Sequence, residues 1–199
     1  DDVTALIRES DGTQRYTLTF ASGTRDTYNN VMPGRGDDML IYYYDLHGNP
    51  VMYRKERQQK MAHLVRVRWQ NPQIHQDKEG KPMKYESPYG SGSHLYIPEK
   101  IRHKYRTVAP IEVLYLQEGE KKAEKACKHG MPSVGIMGIQ NIGTRSHTLP
   151  PELQLIVQRC ETRHVVFMLD SDWDDISPKV KNGDRVDQRP RSFFYAVKN

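Results

Sequence analysis

The sequence predicts two regions: an α+β, β-rich N-terminal subdomain over residues 1–108, and an α/β domain with a parallel sheet over residues 109–199. Upstream of about residue 110, apolar and polar residues alternate in short runs, as they do in half-buried strands. Downstream, short apolar runs alternate with segments of helical periodicity, which is typical of parallel strands joined by helices.

In the N-terminal region, alternation predicts four strands, at residues 16–20, 39–44, 51–54 and 63–69. Gly48 and Pro50 supply a turn between the second and third strands. In the fourth strand, Arg66 and Arg68 share one face because side chains alternate with a period of two. The segment 70–93 is rich in Gly, Pro and Ser, and we expect a functional or mobile loop there.

In the C-terminal region, the pattern predicts three strands, at 111–116, 133–138 and 165–169, and helices at 118–129, 150–159 and 189–198. The strand at 165–169 is expected to be buried, because five apolar residues precede Asp170. Gly130 ends the first helix, and two prolines open the second. The first helix has two faces. Ala123, Ala126 and Cys127 lie on the apolar face, and Lys121, Lys122, Lys125 and Lys128 lie on the other.

Composition indicates a globular protein, with 36% hydrophobic and 28% charged residues. No apolar run approaches the ~20 residues that span a bilayer, so no membrane partner is expected. Cys127 and Cys160 are predicted to be buried, reduced thiols, which suits a cytoplasmic protein. The chain begins with Asp1 and not with Met, and we expect it to be an excised segment of a longer protein.

The net charge of +5 is concentrated in residues 51–70, which hold six basic residues and one acidic residue. Such a strip is typical of a footprint for a phosphate backbone. A solvated face of a β-hairpin explains it equally well, and the strip alone leaves both interpretations open.

Carboxylates follow two of the predicted strands. Glu118 follows the strand at 111–116, and Asp170 and Asp172 follow the strand at 165–169. If these strands are parallel neighbours, the three side chains converge at one edge of the sheet, where ligands of α/β proteins bind. Hard oxygen ligands suit Mg²⁺ or Mn²⁺. The alternatives are a helix N-terminal charge for Glu118 and an Asp-rich turn for the aspartates.

A haloacid-dehalogenase-like phosphatase is a rival interpretation of the segment Leu169–Asp172. That fold needs a long α/β segment after its aspartate motif, and too few residues follow Asp172.

Together these segments resemble the Toprim domain, in the variant found in replication proteins of plasmids, phages and transposons. The resemblance lies in Glu118-Gly-Glu-Lys-Lys-Ala123, the segment 135–141 (Gly-Ile-Met-Gly-Ile-Gln-Asn) and Asp170-Ser-Asp172. Upstream, Val65-Arg-Val-Arg-Trp69 and Lys84-Tyr85-Glu-Ser-Pro88 resemble the basic subdomain of bacterial primase cores. Against the family pattern, no zinc-binding module is present, and the chain stops within the expected third helix of the Toprim domain.

The resemblance implies that Glu118 is a metal ligand or general acid/base and that Asp170 and Asp172 bind a divalent metal. It implies that Arg68 and Lys84 contact nucleotide or template. Lys121 and Lys122 are candidate phosphate contacts, with a solvated helix face as the alternative. We also expect Arg66 to bind nucleic acid, and the aromatic rings of Tyr85, Tyr89 and Trp69 to be available for stacking on bases.

The predicted function is Mg²⁺- or Mn²⁺-dependent primer synthesis on a single-stranded DNA template from nucleotides, with a replicative helicase as a further candidate partner. One alternative is an OLD-like Toprim nuclease that cleaves phosphodiesters with the same carboxylates. A second is a non-catalytic nucleic-acid-binding module with a vestigial Toprim site.

Overall fold

The computed structural model describes residues 3–8, 14–19, 25–27, 38–55, 60–77, 80–142, 149–170, 176–187, 190–191 and 194–195. The chain divides into two compact units, Asp1–Gly92 and Ser93–Asn199, and each is described by itself. Residues 93–108 therefore group with the second unit. The two domains predicted at 1–108 and 109–199 stay a prediction.

The first unit is built from short antiparallel strands. They are β1 (Val3–Arg8), β2 (Gln14–Thr19), β3 (Arg25–Thr27), β4 (Met39–Tyr42), β5 (Met52–Lys55), β6 (Lys60–His63), β7 (Val65–Arg68) and β8 (Tyr85–Glu86). Sheets form in the orders β1-β2-β3 and β4-β7-β8, and β5 pairs with β6 as a hairpin. A 3₁₀ helix, Pro72–Ile74, lies between β7 and β8.

Alternation in β7 explains the core of this unit, because Val65 and Val67 are buried whereas Arg66 and Arg68 are partly exposed. Tyr43 directly follows β4 and Leu64 lies between β6 and β7, and both side chains are fully buried. The four predicted strands are present. The strand predicted at 63–69 is divided, because His63 ends β6, Leu64 belongs to neither strand and Val65 begins β7. The sequence pattern did not predict β1 or β3.

The second unit alternates strands with helices. Its elements are α1 (Glu99–Arg106), β9 (Val113–Glu118), α2 (Glu120–Lys128), β10 (Ser133–Ile136), a 3₁₀ helix (Ile139–Asn141), α3 (Pro151–Arg159), β11 (His164–Met168) and α4 (Ser177–Asn182). The strands form one sheet in the order β10-β9-β11, and both pairings are parallel. The prediction of a β-rich N-terminal region followed by a region with helices and a parallel sheet is confirmed.

Apolar side chains from the central strand and the helices form the core of the second unit. Leu114 and Leu116 of β9 are fully buried, as are Leu153 and Ile156 of α3. On α2, Ala123 and Cys127 are buried while its lysines are exposed, so the predicted two faces of this helix are confirmed.

The two outer strands of this sheet differ in how their free edges are covered. Tyr96 covers the edge of β10, since its backbone N–H and C=O both bond to Gly135, at 2.7 and 2.8 Å. Within the described part of the chain, no strand pairs with the outer edge of β11. Val166, Phe167 and Met168 of that strand are 38–46% exposed. The prediction that this strand is buried is therefore wrong, because an apolar run does not distinguish a central strand from an edge strand.

Helix α1 was missed in a region that the sequence pattern assigned to strands and loops. Its signals were a proline directly before the first turn, an acidic residue in that turn and basic residues in the last one. Ile101 and Tyr105, four residues apart, are its buried face. The predicted helix at 189–198 lies largely outside the described residues.

Candidate functional site

The register of the parallel sheet brings two of the predicted carboxylates together. Glu118 is the last residue of β9, and Met168 at the end of β11 pairs with Gln117. Asp170 lies two residues beyond the end of β11, and its backbone N–H donates a hydrogen bond to Glu118 Oε2 at 3.3 Å. Asp172, the third predicted ligand, lies outside the described residues.

The turn after β9 lets α2 start immediately beyond Glu118. Gly119 has a φ of 109°, a backbone conformation that residues with a side chain rarely adopt. Glycine at this position therefore allows the chain to change direction abruptly. Its N–H donates to the carbonyl of Ile136 at 3.0 Å and ties the turn to β10. The first turn of α2 consequently lies at the carboxyl edge of the sheet.

Lys122 lies in this first turn and forms an ion pair and hydrogen bond with Asp170 Oδ1. The side chains of Lys122 and Asp170 are 47% and 54% exposed, so water and salt screen their attraction. An exposed pair of this kind contributes at most about 1 kcal/mol to stability. The ion pair contributes little to stability, but it puts a positive charge beside the predicted metal ligands.

The pairing of Lys122 with Asp170 was not foreseen from the sequence, because the two residues are 48 positions apart in the chain. Lys121, the neighbouring candidate, is exposed, and the described structure records no side-chain ion pair or hydrogen bond for it. Adjacent lysines on α2 thus have different environments.

Two carboxylates at this edge fit a divalent cation that keeps several water ligands, as Mg²⁺ does. No cluster of three or more His, Cys, Asp or Glu side chains suited to a metal occurs in the described ranges. Asp172 is not among the described residues, so the described site consists of Glu118 and Asp170.

A buried polar contact supports the other side of α2. Glu124 is 3% exposed, and its Oε1 accepts a hydrogen bond from the hydroxyl of Tyr96 at 2.8 Å. The sequence pattern had not separated Glu120 and Glu124, both buried, from the solvated charges of this helix. The Tyr96 contact links α2 to the segment that covers β10.

The buried thiol of Cys127 also belongs to this helix. Burial raises its pKa to about 11, although the backbone N–H of Ser133, which donates to Sγ at 3.3 Å, acts in the opposite direction. Such a thiol stays protonated at neutral pH and is a structural group. Cys160 is buried as well, and the prediction of two buried, reduced thiols is confirmed for the structure.

In the first unit, four of the predicted nucleic-acid contacts lie together. Arg68 of β7 pairs with Tyr85 of β8. The guanidinium carbons of Arg66 and Arg68 lie 4.7 and 6.0 Å from the centre of the Tyr85 ring. Lys84, directly before this ring, is exposed. We call Arg66, Arg68, Lys84 and Tyr85 the basic–aromatic cluster.

The expectation that Trp69 is available for stacking on bases is wrong. Trp69 is 2% exposed, its ring stacks on His75 at a centroid distance of 3.5 Å, and its Nε1–H donates to Glu86 Oε2 at 3.2 Å. The alternation of this strand turns Trp69 to the same side as Val65 and Val67. Tyr89, by contrast, is 83% exposed.

Among the described helices, none has the length and apolar character needed to span a bilayer. No protein-family model matches this chain, and no curated protein or solved structure matches it either.

Proposed function

We propose that this chain is a Toprim-like, Mg²⁺- or Mn²⁺-dependent nucleotidyltransferase that synthesises primers on a single-stranded DNA template. One observation carries the proposal: Glu118 and Asp170 lie side by side at the carboxyl edge of a parallel sheet, joined by a hydrogen bond. Ligands bind at this edge in α/β proteins, and carboxylates are the ligands that these metals prefer.

In this proposal, Asp170 and Asp172 hold the metal, and Glu118 is either a further ligand or the base that takes the proton of the attacking hydroxyl. A bound divalent cation supplies charge neutralisation for the phosphates and orients the attacking and leaving oxygens. Lys121 and Lys122, at the start of α2, are the proposed contacts for phosphate oxygens.

The basic–aromatic cluster supports the nucleic-acid half of the proposal. Guanidinium groups beside a partly exposed ring combine phosphate attraction with a surface on which bases stack. Single-stranded template and nucleotides are accordingly the proposed partners, with a replicative helicase as a further one. A cytoplasmic location is part of the same proposal.

The second candidate is a nucleic-acid-binding module with a vestigial acidic site. The ion pair between Lys122 and Asp170 favours it, because an ammonium already compensates the aspartate. Metal binding separates the two candidates, since only the enzyme requires it.

The first experiment is Mn²⁺ titration calorimetry of the wild type, Glu118→Gln and Asp170→Asn. We expect Asp170→Asn to weaken binding at least about tenfold, because it removes a charged oxygen ligand. A similar loss in Glu118→Gln would identify Glu118 as a further ligand, and an unchanged affinity would leave it the role of base. Glu112→Gln is the matched control. Glu112 is exposed and precedes the same strand at its opposite end, roughly 20 Å away.

Equal Mn²⁺ affinity of Asp170→Asn and the wild type would refute a metal site at these carboxylates and favour the binding module. Where binding depends on them, incorporation of labelled nucleotide on single-stranded template indicates polymerisation. Nicking of duplex DNA without incorporation would indicate the nuclease alternative.

A further inference from the structure

The ammonium of Lys122 and a divalent metal would compete for one oxygen. Lys122 pairs with Asp170 Oδ1, and the same aspartate adjoins Glu118 through its backbone N–H. Two neighbouring carboxylates repel each other unless a positive charge lies near them. In the protein alone, Lys122 provides this charge.

The environment of Lys122 allows it to leave. About half of its side chain is exposed, and the lysine stem has four rotatable bonds, so the ammonium reaches solvent without any change in the backbone. A divalent cation at Asp170 repels the ammonium while attracting the carboxylate more strongly than a single charge does. Metal and lysine therefore exclude each other at this oxygen.

We propose that Lys122 is an exchangeable counter-ion of the metal site. It holds Asp170 while no metal is bound and is displaced when the metal binds. The inference rests on the proposed function in one respect, that Asp170 binds a divalent metal. The inference assigns this role to Lys122 and not to the neighbouring Lys121.

The test is Mn²⁺ calorimetry without nucleic acid, comparing Lys122→Met with Lys121→Met. Methionine keeps an unbranched side chain and a similar helix propensity but removes the charge. Both variants lose one positive charge from the same turn, and only one of them loses the ion pair. We expect Lys122→Met to bind Mn²⁺ roughly three- to tenfold more tightly than Lys121→Met. Lys122→Arg, which keeps the charge, should retain the wild-type affinity within about twofold.

A second readout follows the lysine itself. Reductive methylation with ¹³C-formaldehyde keeps the charge and labels each lysine for NMR. The signal absent from Lys122→Met identifies Lys122. We expect this signal to shift when MgCl₂ is added, while that of Lys121 stays in place.

Two results would overturn the exchange: Lys122→Met binding no more tightly than Lys121→Met, or a Lys122 signal that stays fixed as the metal binds. Weaker binding by Lys122→Met would also overturn it, since the lysine would then be positioning Asp170 for the metal. If one of these results is obtained and Asp170→Asn loses Mn²⁺ binding, the exchange is refuted and the proposed metal site stands. Unchanged binding in Asp170→Asn would remove the site and the exchange together.

Discussion

Replacing Gly135 with alanine tests the packing that places α2 against the sheet. A Cβ on Gly135 would lie 3.1 Å from the carbonyl oxygen of Gly119, 3.2 Å from Cα of Glu120 and 3.3 Å from Cβ of Ala123. All three distances are shorter than ordinary van der Waals contact. Two of the three atoms belong to the backbone of the turn that carries the site.

The expected effect is the sum of two opposing contributions. Overpacking costs about 1–3 kcal/mol, because the turn is tied to β10 by the hydrogen bond from Gly119 to Ile136 and cannot yield freely. Alanine recovers about 0.4–1 kcal/mol by restricting the unfolded chain. We therefore expect Gly135→Ala to lower the free energy of unfolding by about 0.5–2 kcal/mol.

Urea unfolding at 25 °C measures this difference, and a double-mutant cycle with Ala123→Gly locates its cause. Ala123→Gly removes the 3.3 Å contact at a cost of about 1 kcal/mol in helix propensity. The loss of unfolding free energy in the double variant should therefore be smaller than the sum of the losses in the two single variants. An increase in unfolding free energy for Gly135→Ala, or strict additivity in the cycle, would refute the close-packing argument.

Two further predictions concern buried groups of the same unit. Tyr96→Phe removes the hydroxyl that donates to buried Glu124, and the free energy of unfolding should fall by about 1–3 kcal/mol; a change below about 0.5 kcal/mol would contradict this. Because the pKa of Cys127 is raised from 9.0 to about 11, its contribution to stability is complete below pH 9 and is lost as the pH rises towards 11, where the unfolded state binds fewer protons. Between these pH values the wild type should lose about 2–3 kcal/mol more than Cys127→Ala in urea unfolding, and parallel pH profiles would contradict the assignment.

Much of the second unit follows from local pattern. The α2 segment was predicted from helical spacing, and its observed bounds, Glu120–Lys128, differ by two residues at the start and one at the end. The difference matters, because Glu118 ends the strand and does not open the helix. Propensity cannot resolve this boundary, which depends on the hydrogen bonds between Glu118's strand and its neighbours.

The missed and mistaken elements have different causes. Helix α1 carried local signals that were overlooked, whereas the burial of Trp69 depends on what packs against it and is not a property of a short sequence window. The exposed β11 has the same apolar composition as a central strand. Its environment is decided by its position in the order β10-β9-β11, which only long-range pairing determines.

The sequence by itself determined the alternation of strands and helices, the parallel sheet and the carboxylates that follow its strands, because these depend on periodicity and on residues adjacent in the chain. Only the tertiary structure decided that β11 lies beside β9, that Asp170 donates its N–H to Glu118, and that Lys122 and not Lys121 pairs with Asp170. Glu118 and Asp170 are 52 residues apart. Their meeting depends on the register of the strands, which no local pattern encodes.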